Sequence, residues 1–80
     1  MARDQRMGPA LDDLITSDPL VMGGRRVFRG TRVPVEVLFE NLADGMPLEE
    51  ILAEYPTLDR DDVVRVLELT SQALAKPRAA

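Results

Sequence analysis

Three apolar stripes at helical spacing follow one another between residues 35 and 75, separated only by a glycine–proline stop and a proline-containing connector. A chain of 80 residues built this way has little choice beyond a small helical assembly. Val35, Leu38, Phe39 and Leu42 fall at i, i+3, i+4 and i+7, which predicts a helix over 35–44 with one apolar face. Gly45 suits the left-handed position that closes such a helix. Pro47 stands where a first helical residue would, and Leu48, Ile51, Leu52 and Tyr55 repeat the spacing, so a short helix over 47–54 follows. Glu49 and Glu50 fall in its first turn, against the positive end of the helix dipole. Asp59 then opens a third helix, 59–75: it can cap, Asp61 and Asp62 load the first turn, and Leu58 and Val63 occupy the positions of a hydrophobic staple. At about 100° per residue, Val63, Val64, Val66, Leu67, Leu69, Ala73 and Leu74 cover more than half of that helix's circumference. One neighbouring helix cannot cover so wide a stripe, so packing against both other helices and a second copy, a homodimer, is expected.

The flanks read differently. Residues 1–12 are mixed in charge, include Gly8-Pro9 and show no period, which predicts a mobile arm. Pro77 stops the last helix and leaves 76–80 as a tail. A single domain over 13–75 remains. With no cysteine and no histidine it has neither disulfide nor the usual zinc ligands as a staple, and a core this small supplies only ~3–5 kcal/mol. Leu14-Ile15-Thr16 reads as a brief strand closed by Ser17-Asp18-Pro19. Gly23-Gly24, between Leu20-Val21-Met22 and Arg25-Arg26-Val27-Phe28-Arg29, predicts a two-residue hairpin turn. The second run would then carry arginine on both faces. The expected fold is mainly α: a three-helix, helix-turn-helix-like (winged-helix or homeodomain-like) bundle with a short N-terminal β-hairpin. The same outline serves a plain helical bundle.

Reactive chemistry is scarce. Glu36 with Glu40, Glu49 with Glu50, and Asp59 to Asp62 are the paired acids, and each also reads as a solvated helix face or a helix start. No base, nucleophile or phosphate loop accompanies them, so the chain is not expected to be an enzyme. Gly23-Gly24 lacks the spacing that cradles a phosphate, and no loop of alternating oxygen ligands is present. No metal, cofactor or small-molecule substrate is expected. No apolar run reaches the ~20 residues of a membrane helix and the N-terminus lacks a signal-peptide core, so the expectation is a cytoplasmic protein without membrane contact.

Charge is the more informative feature. Residues 1–32 hold six arginines against four aspartates, net +2, whereas residues 33–80 hold four basic and ten acidic groups, net −6. Such a chain can offer a basic segment to phosphate and an acidic surface to a basic partner. Arg25, Arg26, Arg29 and Arg32 lie within eight residues and are candidate contacts to DNA phosphate or base edges, with Arg65 and Gln72 as further candidates on the last helix. The alternative is a solvated hairpin whose arginines pair with the chain's own acids. Gly30 and Thr31 are read as turn-shaping.

Asp18-Pro19, Gly24, the block Arg29-Gly30-Thr31-Arg32-Val33-Pro34-Val35, Gly45, and the Tyr55-Pro56-Thr57-Leu58 connector with Val63 occur together and in order. On these residues the stretch from Ile15 to Leu74 resembles the domain-of-unknown-function family 433 of small prokaryotic proteins. The resemblance implies a helix-turn-helix-like fold with an N-terminal hairpin. It also implies an antitoxin that neutralises a PIN-like ribonuclease toxin and binds its own promoter as a dimer. No catalytic residue is carried over. The other function in keeping with the sequence is a dimeric protein-interaction adaptor that binds no DNA.

Overall fold

A computed structural model of the chain describes residues 9–75. It is mainly helical, with four helices and one two-stranded antiparallel sheet: α1 (Leu11–Leu14), β1 (Ile15–Thr16), β2 (Val27–Phe28), α2 (Val35–Ala43), α3 (Leu48–Glu54) and α4 (Arg60–Ala75). Among the described residues no helix is long and apolar enough to cross a membrane.

The three long helices begin and end where the sequence punctuates them. Pro34 and Pro47, in extended backbone, act as the N-caps of α2 and α3, so Pro47 stands one position earlier than its expected place in the first turn. Gly45, at φ +92°, closes α2: its N–H donates to the Leu42 carbonyl, and the Met46 N–H donates back to Asn41. These are the paired bonds of a Schellman cap, and the backbone there requires the left-handed conformation that glycine alone adopts without cost. Asp59 caps α4, its Oδ1 accepting the Asp62 N–H at 3.1 Å. Replacing Asp59 by Ala is expected to cost ~1 kcal/mol. In a domain of this size that lowers the melting temperature by roughly 4–8 °C, read by circular dichroism.

Leu14, Phe28, Leu38, Ile51, Leu58, Val63 and Val66 form one buried cluster; all four helices and β2 contribute to it, and Ile15 of β1 packs against it. Leu58 and Val63, the expected staple, both belong to it. The broad stripe on α4 divides along its length. Val63 and Val66 are fully buried, Val64, Leu67 and Leu69 are half-buried, and Ala73 and Leu74 are exposed, Leu74 at 82%.

The N-terminal half departs from the sequence reading in three ways. First, the strands that pair are Ile15–Thr16 and Val27–Phe28, in the register Ile15 to Phe28 and Thr16 to Val27. Gly23-Gly24 is not their turn. It lies in a 3-10 turn, Met22–Gly24, inside a longer connection over 17–26. Asp18 starts that connection by accepting the Leu20 N–H on its side chain and the Val21 N–H on its carbonyl, and Met22, Gly23 and Gly24 all hold positive φ, so the chain keeps curling where a two-residue turn would reverse it. Second, β2 has dry faces: Val27 and Phe28 are both buried, and the arginines lie beyond its ends. Third, Leu11 packs against the core and Asp13 accepts the Ala10 N–H, so residues 9–12 belong to the packed body. The rest of the expected arm, 1–8, and the tail, 76–80, lie outside the described residues.

Candidate functional site

β2 is held on both edges. Beyond its pairing with β1, the Phe28 N–H donates to the Val33 carbonyl, Val35 donates to Arg26, and Val27 bridges to Pro34. The chain therefore reverses tightly between Phe28 and Val33. Gly30, at φ +73°, takes the left-handed position in this turn. The Thr31 hydroxyl donates to the Phe28 carbonyl at 2.8 Å and accepts the Val33 N–H at 3.0 Å. Gly30 and Thr31 thus build the turn, and Arg32 is left exposed at its outer end.

Around this turn the structure gathers three distant segments. Thr16 to Asp18 from the hairpin connection, Gly30 to Pro34, and Tyr55 with Thr57 from the α3–α4 connector enclose a cleft of about 720 Å³ with Val27 in its lining. Successive strand residues point to opposite sides, so Phe28 enters the core while Val27 faces the cleft. Asp18, the Gly-Thr-Arg block and the Tyr-Pro connector are also among the segments on which the family resemblance rests. Their meeting cannot be read from spacing, and no local signal in the sequence marks Thr16, Val27, Tyr55 or Thr57 as site residues.

The six candidate DNA contacts are set in different surroundings: Arg25 and Arg26 share one depression, Arg29 and Arg65 another, and Arg32 lines the cleft. Arg25 pairs with Glu36 of α2. Arg29 makes a two-pronged pair with Asp62 of α4, Nε and Nη2 each donating to one carboxylate oxygen at 2.9 Å. Asp62 is only 15% exposed, so this clamp ties the end of β2 to the first turn of α4. The hydrogen bonds to Asp62 are the main reason the Arg29 pKa lies above its ordinary value; partial desolvation opposes them, and the charges of Asp62, Asp59 and Asp13 add to them. Stabilisation from this shift is complete below the ordinary guanidinium pKa and is lost only as pH rises through the still higher folded value, far above neutrality. Arg65 sits 3.4 Å from Glu68 and donates to the Pro9 carbonyl at 3.3 Å. Arg29 and Arg65 share a depression of about 600 Å³ with Asp59, Asp61 and Asp62, where a phosphate would meet opposing charge. Arg26 and Arg32 are exposed and form no ion pair among the described residues, and Gln72 is exposed on α4.

Acidic groups dominate the helical surface. Glu40, Asp44, Glu50, Glu54 and Asp61 are exposed and without an ion pair among the described residues. Among those residues no polar or charged side chain is buried, and no group of three or more metal-ligating side chains comes together.

A protein of Sinorhizobium fredii described as uncharacterized protein y4eO is 39% identical over 54 residues, which cover 68% of this chain and 24% of the relative. The chain thus spans about a quarter of that relative's length. No solved structure matches it. The family model described as "Protein of unknown function (DUF433)" matches residues 15–69. That span takes in both strands, the cleft and most of α4, and the chain belongs to the DUF433 family.

Proposed function

We propose that this protein is a type II antitoxin that acts by binding: its helical part neutralises a PIN-like ribonuclease toxin, and its hairpin end contacts promoter DNA. The observation that carries the reading is where the acids sit. Carboxylates are favourable at helix N-termini and unfavourable at C-termini. Glu40 and Asp44 nevertheless occupy the last turn and C-cap of α2, Glu54 ends α3, and neither helix has a basic residue in its last turn. Acids held where they weaken their own helices serve something outside the fold, and a basic nuclease surface is a fitting recipient. Co-expression with a PIN-like ribonuclease encoded beside this gene tests the reading: a stable complex with suppressed RNA cleavage is expected.

The succession of α2, α3 and α4, with a tight connector over 55–59, supports a helix-turn-helix-like arrangement. The exposed end of α4 at Ala73 and Leu74 offers a second copy an apolar contact, in keeping with a cytoplasmic homodimer. DNA contact falls to Arg26 and Arg32, because α4 itself exposes Asp61 and Glu68.

A second reading, a protein-binding adaptor with no DNA role, is favoured by the pairing of Arg25, Arg29 and Arg65 with Glu36, Asp62 and Glu68. Salt dependence separates the two. If Arg26 and Arg32 carry the contacts, log K against log salt falls with a slope of about −1.8 per chain, and substituting either arginine by Ala flattens it by about 0.9. Absence of binding to the upstream DNA at low salt, with or without partner, selects the adaptor.

A further inference from the structure

We propose that the cleft beside the Gly30–Pro34 turn is a nucleotide pocket, taking the base and ribose of a nucleoside monophosphate or of one unit of a single-stranded nucleic acid, with the phosphate on Arg32. At about 720 Å³ the cleft lies in the range of small-ligand sites. Val21 and Val33 give it apolar surface, with the buried Val27 and Pro34 also in its lining, and Tyr55 adds an aromatic ring on which a base can stack. Its polar groups suit a nucleotide better than a purely apolar guest. Thr16 and Thr57 line it, and their hydroxyls make no hydrogen bond among the described residues, which leaves both free to donate to or accept from a base edge. A hydrocarbon guest would leave them unpaired.

The charges narrow the class further. Four of the six arginines among the described residues are bound to carboxylates, at Glu36, Asp62, Glu49 and Glu68, whereas Arg32 at the cleft has no such partner there. One guanidinium matches one phosphate. Asp18 uses Oδ1 for the Leu20 N–H, which leaves its other oxygen for a ribose hydroxyl or an exocyclic amine. Its charge also disfavours further phosphates, so a monophosphate or a single backbone unit fits better than a triphosphate. The inference needs neither a toxin nor duplex DNA, and it shares only Arg32 with the proposed promoter contact.

The chain carries one tyrosine and no tryptophan, so the Tyr55 ring is a built-in reporter. The full chain is titrated with adenosine monophosphate, uridine monophosphate, adenosine, a short single-stranded RNA and dodecanoate, followed by NMR. The monophosphates are expected to shift the amides of 16–18, 30–34 and 55–57 and to move the Tyr55 ring protons upfield. Adenosine should bind about tenfold more weakly than its monophosphate. Arg32→Ala should bring the monophosphate down to the adenosine level, Arg26→Ala should leave it unchanged, and Tyr55→Phe should retain it. The RNA binding more tightly than the monophosphate identifies the strand as the source; equal or weaker binding identifies the free nucleotide. Shifts confined to other residues, no shift at millimolar ligand, equal affinity for adenosine and its monophosphate, or tighter binding of dodecanoate would each overturn the proposal. Loss of duplex binding on Arg26→Ala with nucleotide binding intact separates this site from promoter contact.

Discussion

Phe28→Ala is expected to leave the chain largely unfolded at room temperature. Phe28 is 1% exposed and is the largest side chain of the buried cluster, set among Leu14, Leu38, Ile51, Val63 and Val66. Truncating a buried phenylalanine costs ~3–5 kcal/mol, through lost transfer energy and the cavity left behind. A disulfide-free and metal-free core of this size supplies a net stability of about the same magnitude. The backbone adds to the expectation, since Phe28 donates to Val33 and Arg29 donates to Leu14, so loosening this strand releases the turn that follows it and the helix that precedes its partner. Circular dichroism and urea titration provide the readout. Phe28→Leu, which keeps most of the volume, should remain folded with a lower midpoint. A cooperative transition for Phe28→Ala near the wild-type midpoint would show that the strand is not part of the core.

Reversing three acids should have the opposite profile, with no loss of fold and a large loss of partner binding. Glu40, Asp44 and Glu54 are exposed and sit at helix C-terminal ends, where a cation is favoured by ~0.3–1 kcal/mol at low ionic strength. Glu40→Lys, Asp44→Lys and Glu54→Lys together should therefore melt at the wild-type temperature or a little above it. Juxtaposed like charges at an interface cost several kcal/mol, which is a loss of about a hundredfold or more in affinity for a basic ribonuclease. Calorimetric titration against the partner, with a thermal melt of the same sample, reads both effects. Wild-type affinity in the triple variant would remove the acidic surface from the proposed mechanism.

The helical half was legible because its signals are local. Val35 to Leu42, Gly45, Pro47 and Asp59 each act within a turn or two of their own position, and α2, α3 and α4 lie within a residue of the expected spans at each end. The hairpin was not legible for the same reason. Its strands are two residues each, too short to show a period, and their partners are joined across a connection whose turn at Asp18 outweighs the Gly23-Gly24 signal. Arginines that look available in sequence are taken up by acids distant along the chain, Arg29 by Asp62 and Arg25 by Glu36, and no spacing rule connects those positions. The cleft is a further product of tertiary packing. Asp18, Arg32 and Tyr55 line it, although each belongs to a segment that reads by itself only as a turn.

The back-to-back placement of Val27 and Phe28 makes the molecule unevenly tolerant of changes in length. Residues 17–26 form a surface excursion whose ends are fixed by strand pairing, and an added residue there lengthens a loop at small entropic cost. One residue inserted between Val27 and Phe28 would put the two on the same side of the strand, so that either the core side chain turns into the cleft or the cleft side chain turns toward the core. Homologous chains should accordingly vary in length before Arg26 and keep the count from Val27 to Pro34 fixed.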